Sequence, residues 1–98
     1  MSTRIPNDTE CVDLLYRAGC KRRVIVHCCT VRAVAEEIAK GISNADVQLV
    51  IAGALLHDIG RSVDHSILHA SIGADIVKGY GLPNAVVEIV RKHTGAGL

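Results

Sequence analysis

Apolar residues recur at helical spacing along most of the chain, and glycine, proline and short polar runs separate the apolar stretches. This pattern predicts about five helices and no strand. The predicted segments lie between Thr9 and Gly19, from Val24 to Lys40, from Val47 to the region of His57, from Ser66 to Lys78, and from Pro83 to just before His93.

The third predicted helix is the most hydrophobic part of the sequence. Its run from Val47 to Leu56 is apolar nearly all round, which is typical of a central, buried helix. Gly60 follows shortly after it and fits a C-terminal cap. The second helix carries a narrower apolar stripe, formed by Val31, Val34, Ala35 and Ile38. We therefore expect an all-α fold, a compact bundle of about five helices in one domain that covers residues 1–98.

Composition and charge narrow the function classes. The chain has no Phe or Trp and a net charge of +1, so it has neither the aromatic platforms nor the basic surface typical of nucleic-acid binding. A nucleic-acid partner and a small helical DNA-binding domain are therefore not expected. The longest apolar run, Leu49 to Leu56, is too short to span a membrane, so no membrane association is expected.

Four cysteines occur in the sequence, and they do not suggest a disulfide framework. No secretory signal precedes them, and Cys28 and Cys29 are neighbours, so a bond between these two would be strained. We expect reduced thiols, mostly in the core, in a cytoplasmic protein.

The pair His57-Asp58, at the end of the most hydrophobic helix, is the main candidate for chemistry. Burying an imidazole beside a carboxylate is costly unless both are satisfied. Side chains of adjacent helical residues point about 100° apart, so they converge on one ion only where the helix ends. His27, His69 and His93 also lie near predicted helix ends, whereas His65 lies in a polar connector. Divalent metals accept such a mixture of imidazole and carboxylate, but helix-end capping and core hydrogen bonding are alternative roles.

His27 followed by the run from His57 to Arg61 resembles the HD phosphohydrolase superfamily, in particular the branch whose signature reads His-Asp-Ile-Gly. The resemblance covers about residues 24–98, because the segments from Leu68 to Ile76 and from Lys92 to Gly97 are also similar to that family. It implies an HD-like helical fold with one or two divalent metal ions (Mn, Fe, Zn, Ni or Mg).

The resemblance also implies roles for individual residues. His27, His57 and Asp58 would bind the first metal, with Asp58 able to bridge, and His69 and His93 would bind the second. The implied activity is metal-dependent hydrolysis of a phosphomonoester or phosphodiester, with a nucleotide as the expected substrate. Asp58 would position or deprotonate the attacking water, and Arg61, at a basic position of the family, would contact the phosphate.

The sequence departs from the family pattern in one respect. The family closes its first metal shell with an aspartate on a later helix, and neither Asp64 nor Asp75 matches that position. Three alternatives stay open: truncation before that aspartate, a ligand from a partner, or a degenerate site. Apolar surface left uncovered would favour a homo-oligomer. The alternative function is a non-catalytic HD-like helical module that binds a nucleotide or a partner protein.

Overall fold

The computed structural model describes residues 4–66 and 68–93, and within these ranges it contains helices and no strand. The prediction of an all-α bundle of about five helices is confirmed. The α-helices are α1 (Asp8–Ala18), α2 (Arg22–Lys40), α3 (Val47–Leu56), α4 (His69–Gly79) and α5 (Asn84–Lys92), and a short 3₁₀ helix (Ile59–Ser62) connects α3 to α4.

Local sequence signals fix both ends of α1. The Asn7 side chain accepts a hydrogen bond from the Glu10 amide, and the Glu10 carboxylate accepts one from the Asn7 amide, both at 2.9 Å. This reciprocal capping box satisfies two amides at the helix start. Gly19 ends the helix with a φ of 89°, a left-handed conformation that glycine adopts without steric cost.

Helix α3 lies at the centre of the bundle, as its uniformly apolar sequence predicts. All its residues from Ile51 to Leu56 are buried, and the helix contacts α1, α2 and α5. Gly53 permits the contact with α5, because a Cβ at this position would lie 2.6 Å from Cγ2 of Ile89. Each fully buried leucine of α3 contributes about 1.5–3 kcal/mol of hydrophobic stabilisation.

Gly60 does not cap α3, and that prediction is wrong. The cap residue of α3 is His57, in a right-handed conformation, while Gly60 is buried within the 3₁₀ helix. A Cβ on Gly60 would overlap the carbonyl oxygen of His69 and lie 2.8 Å from the Gly73 amide nitrogen. Glycine is therefore required by the close approach of the 3₁₀ helix to α4 rather than by its own backbone angles.

The apolar stripe predicted on α2 is present but does not pack into the core. Val34 and Ile38 are 57% and 61% exposed. The helix instead buries Val24, Ile25, Cys28 and Ala39, and packs extensively against α3. Helix α2 thus has two apolar faces, of which the described part of the chain covers one.

The cysteines occupy the positions that the sequence predicts. Cys11, Cys20 and Cys28 are buried, Cys29 is exposed, and all four thiols are free. Burial raises the pKa of the Cys11 and Cys28 thiols to about 12, so these two side chains behave as apolar core residues.

No helix in the described ranges has the length and hydrophobicity needed to cross a membrane.

Candidate metal centre

The carboxylate of Asp58 is the centre of the candidate site. Asp58 lies between the end of α3 and the 3₁₀ helix and is 3% exposed. Each oxygen faces two histidines. The Oδ2 atom is 3.2 Å from Nε2 of His57 and 3.4 Å from Nε2 of His27, and the Oδ1 atom is 3.1 Å from Nε2 of His69 and 3.2 Å from Nε2 of His93.

Four segments that are distant in sequence bring these side chains together. His27 lies in the second turn of α2, which packs against α3, and His57 follows the last residue of α3. His69 is the first residue of α4, and His93 follows the end of α5. Because Gly60 lets the first turn of α4 approach the 3₁₀ helix, His69 can reach Asp58.

Helix α4 begins at His69, three residues later than the sequence predicts. The chain before it forms side-chain-capped turns: the Asp64 carboxylate accepts a hydrogen bond from the Ser66 amide, and the Ser66 hydroxyl accepts one from the Leu68 amide. Short polar side chains favour such turns over helix. The Ser66 carbonyl accepts hydrogen bonds from both the backbone amide and the ring of His69.

Backbone carbonyls fix the tautomer of three of the imidazoles. Each Nδ1 lies 2.5–2.7 Å from the carbonyl oxygen three residues earlier in the sequence. The pairs are His57 with Ala54, His69 with Ser66, and His93 with Val90. A carbonyl only accepts, so Nδ1 carries the proton, and a neutral ring then presents the lone pair of Nε2 to Asp58. Histidines that bind a metal through one ring nitrogen usually donate a hydrogen bond from the other, which fixes the orientation of the ring in the same way.

The Nε2 atoms therefore need a cation. Those of His69 and His93 are 3.0 Å apart, and each also faces a carboxylate oxygen. Lone pairs at these distances repel unless a proton or a metal ion lies among them. Burial opposes the charge of Asp58. When protons lie on the Nε2 atoms of His57 and His93, their hydrogen bonds, together with the charge of Arg61, hold the pKa of Asp58 well below its usual range. The hydrogen bond to Asp58 in turn raises the pKa of His93.

Two groups of donor atoms have spacing that suits a metal ion. His27, His57 and Asp58 form one, and Asp58, His69 and His93 form the other, with the donor atoms of each group within 4.8 Å of one another. All five predicted ligands are thus brought together, and Asp58 is common to both groups. Imidazole and carboxylate suit Mn, Fe, Zn or Ni, so the residues fit a divalent ion, and their role as its ligands stays a prediction.

Arg61 lies beside this centre, with Nε 3.5 Å from Oδ2 of Asp58. That Nε is buried and has no hydrogen-bond partner among the described residues, nor has the buried hydroxyl of Ser62.

Sequence reasoning did not single out Ser62. It also missed the three carbonyls, although their constant spacing of three residues before a helix-end histidine was a usable signal. His65 is exposed, as predicted, and the glycine-rich turn Gly95–Gly97 lies outside the described residues.

Several sequence relatives match most of the chain. A tRNA (cytidine(56)-2'-O)-methyltransferase from Thermoplasma volcanium is 50% identical over 94 residues, which are 96% of this chain and 28% of that protein. An uncharacterized protein of Methanocaldococcus jannaschii is 42% identical over 83 residues, 81% of this chain and 49% of that protein. A ribonuclease Y from Acetivibrio thermocellus is 38% identical over 84 residues, 84% of this chain and 16% of that protein.

The chain thus spans less than half the length of each of these relatives. No solved structure shows a significant match. The HD domain family model matches residues 24–98, a range that contains all four histidines and the aspartate of the centre. The chain belongs to the HD domain family.

Proposed function

We propose that the protein hydrolyses a phosphomonoester or phosphodiester of the nucleotide class, using a divalent metal ion at Asp58. One observation carries this proposal: four Nε2 atoms lie within 3.1–3.4 Å of a single buried carboxylate. His27, His57 and Asp58 would hold one ion, and Asp58, His69 and His93 a second. A bound divalent ion lowers the pKa of a coordinated water so that hydroxide is available near pH 7.

The protein's own residues supply orientation and charge. Asp58, whose pKa is depressed, stays ionised and is placed to orient a water. Carbonyl hydrogen bonds hold the rings of His57, His69 and His93 in fixed positions. Arg61 has a side chain that is 38% exposed, so its guanidinium can reach a substrate phosphate and neutralise its charge.

The relatives support the nucleotide class. Two of them are named for RNA, a tRNA methyltransferase and a ribonuclease, although each activity belongs to a protein of which this chain matches a small part. The net charge of +1 and the absence of Phe and Trp favour a small nucleotide over a long polynucleotide.

The test combines metal binding with hydrolysis. Purified protein with added Mn²⁺ is assayed against nucleoside monophosphates, cyclic nucleotides, dinucleotides and methyl phosphate. Asp58→Asn is expected to abolish hydrolysis, because it removes the charge common to both groups of donors. Asp75→Asn changes an exposed aspartate of α4 in the same way and serves as the control. Equal activity in both variants would refute the proposed site.

A non-catalytic module is the second candidate. The observation in its favour is that the matching region makes up 28% of a protein named as a methyltransferase, so an HD domain can accompany another enzyme. This candidate predicts that the chain binds Mn²⁺ and a nucleotide but does not hydrolyse any ester of the panel.

A further inference from the structure

A groove on the exposed face of α2 begins at the metal centre. Its volume is about 350 Å³, within the size range of small-molecule sites. It is lined by His27, Thr30, Val31, Val34, Ala35 and Ile38. His27 belongs both to this groove and to the group of donor atoms around Asp58. A molecule in the groove would therefore contact the metal centre at one end.

The two ends of the groove differ in chemistry. Arg23 lies one helical turn before His27, on the same side of α2, and no acidic side chain pairs with it in the described ranges. Nε of Arg61 lies 3.5 Å from Oδ2 of Asp58, the oxygen that His27 also faces. Val34 and Ile38, at the far end, offer methyl groups to solvent. The Thr30 hydroxyl donates to the Val26 carbonyl at 3.1 Å, so it does not require a ligand group. The groove itself is lined mostly by aliphatic side chains, and one of its ends lies at His27, beside the metal centre.

We propose that this groove binds the nucleobase of a phosphoester whose phosphate lies at the metal centre; this inference rests on the proposed function. His27 and Val34 are separated by seven residues, about 10 Å along the helix axis, which leaves room for a sugar and a base beyond the phosphate. One face of the base would lie on the valine methyl groups and lose its water. Its polar edge would remain in solvent on the open side, so no polar group would be buried unpaired.

The position of the exposed apolar surface favours a ligand over a protein partner. Contiguous apolar patches mark ligand grooves or protein interfaces. A ligand is favoured here because the patch continues into the cluster of histidines, whereas a pure interface has no need of that continuity. The absence of aromatic residues in the lining means that the base would contact aliphatic groups rather than stack between rings.

The first test needs no catalysis. Methyl signals of Val31, Val34 and Ile38 are followed by NMR while adenosine, an uncharged nucleoside, is added to the whole chain. Adenosine is expected to shift these three signals, and inorganic phosphate is expected to leave them in place. Val34→Asn should weaken adenosine binding roughly ten-fold, the scale of a lost apolar contact in a pocket. Val63→Asn is the matched control, since Val63 is 69% exposed and lies outside the groove.

The second test is kinetic and uses the ratio of kcat/KM for adenosine monophosphate to that for methyl phosphate. Val34→Asn is expected to lower this ratio roughly ten-fold, and Val63→Asn should not change it. If the wild-type chain hydrolyses no ester of the panel described above, the proposed function fails, while the NMR titration still decides about the groove.

Two results would overturn the groove's assignment. The first is a set of α2 methyl signals that adenosine leaves unmoved. The second is a wild-type dimer in sedimentation that Val34→Asn converts to a monomer, because the groove would then be an interface between copies of the chain. A monomer in both proteins, together with shifted methyl signals, supports the nucleobase site.

Discussion

Asp58 differs from every other acidic residue in the described ranges because four imidazoles and one guanidinium surround it. Such a carboxylate has two roles that are difficult to separate. When no metal ion is bound, it balances the positive charge of the surrounding side chains. When a metal ion is bound, it offers one oxygen to each group of donors. Both roles need the negative charge, and the second also needs both oxygens.

Replacing Asp58 with asparagine removes the charge and exchanges one of the two oxygens for an amide nitrogen, with almost no change in the size of the side chain. We expect Asp58→Asn to weaken Mn²⁺ binding by more than about 100-fold, since even changes one step outside a metal's ligands cost about 10- to 100-fold. Isothermal titration calorimetry measures this directly, and Asp75→Asn should bind Mn²⁺ like the wild type. Unchanged affinity in Asp58→Asn would exclude this carboxylate as a ligand.

The sequence indicated that these five side chains could cluster, because each lies at or near a helix end and next to an apolar face, and the resemblance to the HD family implied their roles as ligands. The role of Gly60 was predicted wrongly for a physical reason. A glycine after a helix usually relieves its own backbone, and only the packing of α4 reveals that here it makes room for the His69 carbonyl. Contacts between distant segments leave no periodic signal in a single sequence.

At the scale of the elements, the crossing of the 3₁₀ helix and α4 determines whether His69 reaches Asp58. We expect Gly60→Ala to destabilise the fold by about 1–3 kcal/mol, because the added methyl overlaps backbone atoms that cannot move independently. It should also weaken Mn²⁺ binding by separating His69 from Asp58. Urea unfolding and calorimetry measure the two effects.

Gly79→Ala is the matched control for this crossing. A Cβ on Gly79, at the end of α4, meets nothing within 4 Å, so alanine there should be neutral or slightly stabilising. If Gly60→Ala proves as harmless as Gly79→Ala, the contact with α4 does not constrain the candidate centre.

The start of α1 should show a dependence on pH. The Glu10 carboxylate accepts hydrogen bonds from Arg4 and from the Asn7 amide, and these lower the pKa of Glu10 from 4.5 to about 2. A carboxyl group whose pKa is lower in the folded state stabilises the fold above pH 4.5, and this contribution disappears as the pH falls towards 2. The difference in free energy of unfolding between wild type and Glu10→Gln should thus shrink from pH 6 to pH 2.5.

The control for this helix start is Glu37→Gln on α2. Glu37 is exposed and forms no ion pair with the described residues, so its replacement should show no such trend. A difference for Glu10→Gln that stays constant with pH would contradict the role of its charge.

The helices themselves were predictable because caps, glycines and apolar periodicity agree, as they do in α1 and α3. The side of α2 that packs inward could not be predicted in this way. This helix has apolar residues on two faces, and a sequence pattern cannot tell which face meets α3 and which one forms the groove beside His27.

At the scale of the whole molecule, the donors come from α2, the end of α3, the start of α4 and the end of α5. Ions bound by the two groups of donors, which share Asp58, would together connect parts of the chain that extend from His27 to His93. Such a site does not exist in the unfolded chain, so the free energy of binding adds to the free energy of folding.

We therefore expect Mn²⁺ to raise the melting temperature strongly. Free ion at 100 times its dissociation constant stabilises the folded state by about 2.7 kcal/mol. For a domain of this size, each kcal/mol corresponds to a shift of about 4–8 °C, so the expected increase exceeds roughly 10 °C and should be reversed by a chelator. Circular dichroism melts with and without Mn²⁺ measure it. Asp58→Asn should show little of this increase, while Asp75→Asn should show all of it. The same shift in both variants would mean that the ion binds elsewhere on the molecule and that the cluster around Asp58 is held by protons alone.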